Sequence, residues 1–392
     1  MKKILAIILS LLMIAGTFVS CGRIDEDNFT DSESLGNATQ DSELVLDSDN
    51  NSDNLGENGE TSKLPENGGN GGNGGNGGDA EDDEYKDTRK KVTFGSYPQS
   101  EVTDATLKSK LTSKAGTLPT KAKPQKWKSY KYYHKYKEND VDKVERDFMW
   151  YIDIEEGSEK YRGVYFTAYR PTYVVRSTAA TTSYQDENGY TTSNVYWFKY
   201  EPISWTVLEE NSANGTSLLL CDMIIDAAEF DYDSFTGTPT YDNNYAKSSI
   251  RSWLNSTFLT TAFKTDEQAK IITSAVDNSV LSTGHHVNEN ACANTNDKVF
   301  LLSYAESVND KYGMELSASR IKKNTAYAKA QGAYTLNNGT GEWWLRSPAP
   351  DPLVFDKSNM TVRGVTSEGR VDSYINANYS YRGIVPALRV KF

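Results

Sequence analysis

Few residues of the kinds that do chemistry stand in this 392-residue chain, and their spacing argues against most reactions. Its histidines are His134, His285 and His286. Neighbouring histidines on a strand point to opposite faces, and neither an H-E-x-x-H nor a C-x-x-C pattern accompanies them. Gly284-His285-His286 therefore reads as an exposed loop. Asp351 and Asp356 could offer carboxylates to calcium, but no EF-hand loop surrounds them and two acids in a polar loop read as solvated. No metal and no other cofactor is expected. Cys221 lies inside "SLLLCDMII", where a cysteine acts as a small buried hydrophobe, whereas Cys292 lies in a polar loop. In an exported domain the two could form one disulfide or remain free thiols. Ser319-Arg-Ile-Lys322 fits the Ser-x-x-Lys nucleophile pattern, yet no Ser-Asp-Asn or Lys-Thr-Gly follows it. No P-loop, dinucleotide fingerprint or G-x-S-x-G is present. The acidic run Asp153, Glu155 and Glu156 reads as a strand ending at a turn before Gly157. Paired carboxylates for glycoside hydrolysis depend on the fold, so an exported enzyme acting on cell-wall or dietary polysaccharide stays open as an alternative. A non-catalytic domain is the preferred reading.

"EWWLRSPAPD", from Glu342 to Asp351, is the most conspicuous stretch. Read as a strand, it sets Trp343, Leu345 and Ser347 on one face and Trp344 and Arg346 on the other. Such a strand is best covered on both faces, with Arg346 paired to a carboxylate or to backbone carbonyls. The chain from 349 to 383 is polar, and "NANYSYRG" has the Tyr, Ser, Asn and Gly composition of adaptable recognition loops. Tyr379 and Tyr381 are two apart and would project to one side of an extended segment, or else belong to a hairpin. The expected ligand-binding residues are therefore Trp344, Arg346, Asp351, Asp356, Tyr379, Tyr381 and Arg382, with Trp344 and Arg346 beneath or beside the ligand face.

Alternation and β-rich composition predict strands over Met149–Ile154, Val164–Tyr169, Val195–Tyr200, Ser204–Leu208, Leu218–Met223, Lys298–Leu302 and Val385–Val390. Ile250, Trp253, Leu254 and Phe258 share one face of a helix between Lys247 and Leu259. Thr265 to Gln268 and Ser303 to Glu306 have capping-box spacing, and Thr325 to Gln331 is a short helix closed by Gly332. Strands and helices do not alternate as βαβ units, so the fold class is α+β, a single mixed-sheet domain.

Residues 1–20 form an export signal, with a basic start, a mostly apolar run and a small residue before Cys21. Phe18-Val19-Ser20-Cys21 resembles a bacterial lipobox, which implies lipid on Cys21 and anchoring to the outer face of the cell membrane; cleavage without lipid is the other reading. Residues 21–90 read as a disordered acidic stalk, with 19 acidic against 5 basic residues between Arg23 and Lys90 and an "NGG" repeat. A coil of that length spans roughly 45 Å. Residues 91–392 then carry 35 basic and 35 acidic groups and sum to zero. They hold no basic excess for phosphates, so nucleic acid is not an expected partner.

"VTFGSYPQSEV", "YRGVYFTAYRP", "YWFKYEPISWTVLE", "SSIRSWLN", "DKVFLLS", "WWLRSP" and "GIVPALRV" occur in that order through residues 91–392. Together they resemble a domain family of unknown function common in exported proteins of Firmicutes and other gut bacteria. Its ending, a Trp-rich strand, a long irregular stretch and a final strand, is similar to the C-type-lectin-like fold shared by formylglycine-generating enzymes. Cys221 and Cys292 do not reproduce the reactive pair of those enzymes, so that activity is not implied. The resulting expectation is a surface-anchored lipoprotein whose C-type-lectin-like domain binds an extracellular glycan or protein. A structural surface scaffold is a further alternative.

Overall fold

The strand Val195–Asn211 runs for 17 residues through the middle of the molecule. Its length comes as a surprise, because Glu201-Pro202 separates what the sequence suggests are two strands. Proline cannot donate to a ladder and breaks a regular one. The partner strand Lys91–Glu101 absorbs the fault: its register shifts between Thr93 and Ser96, and Ser96 then sits opposite Pro202. Gly95 makes that bulge, with φ of 72°. A Cβ there would lie 2.5 Å from the Phe263 ring, so only glycine fits.

The computed structural model describes residues 85–138, 141–173, 182–232, 242–349 and 360–392. All of them fall within one compact unit, Asp79–Phe392. Around the long strand is a nine-stranded antiparallel sheet. Met149–Glu156, Glu159–Phe166 and Thr216–Cys221 contribute to it, and Ala387–Lys391 closes back onto Thr216–Cys221. A second sheet of five strands has Trp343–Pro348 at its centre, between Gly383–Ile384 and Thr361–Val365. A three-stranded sheet joins Lys322–Asn324 to Thr340–Gly341 and, in parallel, to Met223–Ile224. Helices and mixed sheets are thus combined as an α+β fold. Four predicted strands are shifted or shortened: Val164–Tyr169 becomes Glu159–Phe166, Leu218–Met223 becomes Thr216–Cys221, Lys298–Leu302 becomes Val299–Phe300, and Val385–Val390 becomes Ala387–Lys391.

Alternation along the long strand divides the apolar residues between two faces. Phe198 joins the main core, while Trp197 joins a smaller cluster with Trp127, Trp150, Leu111 and Ala115. The helix Ala105–Ala115 covers that smaller cluster, and Asp104 caps it by accepting from the Leu107 N–H at 2.7 Å. Only Leu111 and Ala115 are buried on this helix, which is why no apolar periodicity signals it in the sequence.

Local signals elsewhere hold. Ser303 and Glu306 exchange hydrogen bonds as a capping box. Thr325 caps Ala326–Ala330 by accepting from Ala328, and Gly332 follows with φ of 92°. The other box is displaced by one residue, because Lys264 rather than Thr265 is the cap and its N–H donates to Glu267 at 2.8 Å. The helix from Ser249 to Ala262 carries a π turn over Leu254–Phe258. That wider turn stacks Trp253 on Phe258, five residues on, with ring centroids 5.4 Å apart. Ile250, Leu254 and Phe258 are core, but Trp253 is only half-buried.

The domain begins before residue 91. Arg89, which the sequence places in the stalk, donates to the carbonyls of Tyr312, Gly313 and Ser319 at 3.1–3.3 Å and pairs with Asp87.

Candidate functional site

A concave cleft of about 590 Å³ opens where the strands Met149–Glu156 and Glu159–Phe166 meet the segment Asp226–Glu229 and the π-turn helix. Its walls are aromatic: Tyr97, Tyr130, Tyr132, Tyr151, Trp253 and Tyr327. Tyr130 and Tyr132 come from one short stretch. Lys131 between them is left-handed, with φ of 61°, and its N–H donates to Ser129 Oγ at 2.8 Å. Ser129 in turn donates to Asp147, itself left-handed with φ of 55°. Non-glycine residues in this region carry a conformational cost that the surrounding bonds must offset. The result is a stacked tyrosine pair, with centroids 5.5 Å apart and rings within 5° of parallel.

The polar groups of the cleft are fixed from behind. Arg162 is 4% exposed and makes a two-pronged contact with Asp153, both bonds 2.8 Å. The two residues face each other across the hairpin, and Tyr200 also donates to Asp153 at 3.0 Å. The guanidinium then lies 4.4 Å from the Tyr151 ring centre and 5.5–6.0 Å from those of Tyr200, Tyr327 and Tyr97. Among the described residues its Nη1 reaches only the Tyr327 hydroxyl, at 3.4 Å, and that hydroxyl is 2.9 Å from the Tyr130 hydroxyl. Asp226 accepts from the Tyr97 hydroxyl at 2.7 Å and from the Ala227 N–H at 2.8 Å. Among the described residues no cation bonds to it, and burial pushes its carboxyl up to about 6. Burial likewise holds the hydroxyls of Tyr97, Tyr130 and Tyr327 well above their ordinary value, so they remain protonated hydrogen-bonding groups. Arg170 braces the rim by donating to Ala227 O at 2.7 Å and Glu229 Oε2 at 2.6 Å, with its guanidinium 3.9 Å over Tyr132.

Among the residues expected to bind ligand or to lie beneath its face, Trp344 and Arg346 are interior. Trp344 is fully buried, and its Nε1 donates to Ala228 O at 2.8 Å. It supports the cleft-lining segment from behind without reaching a ligand face. Arg346, 2% exposed, is consumed by Leu301 O, Asp277 O, Asn278 Oδ1 and Glu306. That is the covered, paired arginine that alternation predicts. Arg382 is also buried, 3.1 Å from Glu342 and 5.8 Å from the Trp344 ring centre. Tyr379 and Tyr381 do lie side by side, stacked at 5.3 Å and half-buried. They continue through Tyr184 to Tyr334 and through Tyr173 at the other end, forming a tyrosine strip. Asp351, Asp356 and Cys21 lie outside the described residues.

Other candidate groups resolve as follows. Cys221 and Cys292 are free, and burial pushes the Cys221 thiol up to about 12. Ser319 Oγ donates to Leu316 O at 2.6 Å. His285 contacts Arg363, and partial burial together with that cation lowers its pKa. Among the described residues no three His, Cys, Asp or Glu side chains come together as metal ligands would. None of the described helices is long and apolar enough to cross a membrane.

Sequence reasoning passed over the whole cleft. Its residues come from seven separate stretches of the chain, and the one local signal is the tyrosine and lysine density of "WKSYKYYHKYK", Trp127 to Lys137. A family model described as Domain of unknown function (DUF6273) matches residues 214–392, so a domain of unknown function occupies that part of the chain. Comparison with curated proteins and with solved structures finds no match. The family match begins in the turn between Val195–Asn211 and Thr216–Cys221, partway through the nine-stranded sheet. It takes in Asp226, Glu229, Trp253 and Tyr327 and leaves out Tyr97, Tyr130, Tyr132, Tyr151 and Arg162.

Proposed function

We propose that this domain is a non-catalytic binding module that takes an extracellular glycan into the tyrosine-lined cleft. The observation that carries this reading is the arrangement of aromatic walls around fixed hydrogen-bonding groups. A sugar ring has apolar C–H faces and a rim of hydroxyls. Flat tyrosine and tryptophan faces suit the former; Asp226, Glu229, Arg162 and the tyrosine hydroxyls suit the latter. Pockets of this kind, apolar with a few placed polar groups, bind small ligands with orientation. The signal-like start and Cys21 support a lipoprotein held at the outer face of the bacterial membrane. The Trp-rich central strand and the returning terminal strand support a C-type-lectin-like reading of the α+β fold.

The test is a glycan array probed with the full chain, followed by titration of any hit. Tyr130→Ala and Trp253→Ala each weaken binding about tenfold or more if the cleft is the site. Binding that survives both substitutions but disappears in Tyr379→Ala plus Tyr381→Ala moves the site to the tyrosine strip. One observation favours a hydrolytic alternative, namely a buried carboxyl, Asp226, lining the cleft, where burial raises its pKa toward the range of a general acid. Shortened oligosaccharide products from the native chain and none from Asp226→Asn would establish that activity.

A further inference from the structure

Away from the cleft, Lys322 opens the strand Lys322–Asn324, the middle strand of the three-stranded sheet, opposite Gly341. The residue is 4% exposed. Among the described residues its Nζ makes no hydrogen bond, and its ion-pair partner Asp222 is 4.0 Å away. Asp222 is already engaged: Oδ1 holds Lys91 Nζ at 2.8 Å and Thr206, and Oδ2 holds Ser204 Oγ at 2.5 Å. A buried ammonium without hydrogen bonds is costly, so burial moves the balance toward the neutral amine. Above it opens a pocket of about 490 Å³, which Lys322 lines together with Tyr85, Asp87, Lys91 and Ser319.

The charged and titratable groups around the amine act in both directions. Burial lowers it to about 8; Asp222 and Cys221 oppose that shift, and Lys91 and Arg89 add to it. Asp87 is spent on Arg89 and Lys91. Lys322 thus combines an amine that burial brings toward neutrality, a place on a paired strand and a pocket that it lines, circumstances that favour a nucleophilic lysine.

We propose that Lys322 is an imine-forming amine and that its pocket takes a small hydroxyaldehyde. This site is separate from the cleft and does not rest on the glycan reading. In the step, the Nζ lone pair forms a C–N bond to the aldehyde carbon, and the carbonyl π pair moves to oxygen. That oxygen takes up two hydrogens, equal to the two the neutral amine gives up, and leaves as water with the C–O bonding pair, while the nitrogen pair released by deprotonation forms the C=N π bond. Amine and aldehyde become imine and water, with nothing oxidised or reduced. Asp87, Lys91 and Ser319 line the pocket, and this polar lining suits a hydroxylated rather than a purely apolar aldehyde.

The experiment treats the full chain with glycolaldehyde and cyanoborohydride, which traps the imine as a secondary amine, and measures modification of each lysine by peptide mass spectrometry. At pH 7.5 Lys322 is expected to react at least about tenfold faster than the exposed Lys126 and Lys264, with a rate that levels off above about pH 8. Lys91→Gln removes a neighbouring cation and should slow Lys322 several-fold at pH 7.5, an effect that access alone does not produce. Modification of Lys322 no faster than Lys126 and Lys264, or a rate unmoved by Lys91→Gln, overturns the proposal.

Discussion

Arg162 and Arg346 are both nearly sealed from water, at 4% and 2% exposure, but their neighbours differ in kind. Arg346 meets two backbone carbonyls, an amide oxygen and Glu306, so its donors are spent inside the protein. Arg162 has one carboxylate partner behind it and tyrosine rings on its other sides, and its Nη1 makes only a long contact. Tyrosine rings receive a cation without saturating its donors. Depth alone therefore does not separate a structural arginine from one available to a ligand; the saturation of its hydrogen bonds does.

The largest effect should come from breaking the saturated member. Arg346→Met strands Glu306 and leaves three acceptors without their donor, and should lower unfolding free energy by about 3–5 kcal/mol in urea denaturation. The next effect sharpens the contrast through pH. Burial would raise the Glu306 carboxyl, but Arg346 brings it below its ordinary value. Its stabilisation is present above the unfolded pKa and is lost as pH falls through the folded one. Asp226 runs the opposite way. With its pKa raised to about 6, its cost is full above that pH and is relieved as pH falls toward 4. Relative to Asp226→Asn, the native chain should therefore gain on the order of 2–3 kcal/mol between pH 6 and pH 4, read from paired urea titrations.

Tyr327→Phe removes the hydroxyl shared by Tyr130 and Arg162. It should cost about 1 kcal/mol of stability and a larger share of glycan affinity, compared by denaturation and by titration calorimetry. The smallest change is expected from Tyr379→Ala with Tyr381→Ala, which should leave cleft binding within about twofold in the same calorimetry if the two tyrosine regions are independent.

The Trp343–Pro348 strand was legible because alternation is a local property, and six consecutive residues decide which faces are covered. Capping at Ser303 and Thr325 was legible for the same reason. The cleft was not. Tyr97, Arg162, Asp226 and Tyr327 meet only through strand register and the return of distant segments, and no single window contains two of them. Trp253 was visible but read as one of an apolar helix stripe with Ile250 and Leu254; the π turn instead stacks it on Phe258, five residues on. The strand through Pro202 was hidden because its compensating bulge lies on another strand more than a hundred residues earlier.

Arg89 has a mechanical consequence. A pull applied to the chain at Tyr85 reaches its contacts with Tyr312, Gly313 and Ser319 before it reaches the first ladder pair, Lys91 with Thr206. Those contacts share the tension in parallel, whereas a strand drawn from its end gives way one pair at a time. Replacing Arg89 would thus move the point of mechanical failure onto the edge of the nine-stranded sheet, even where the resting fold is barely altered.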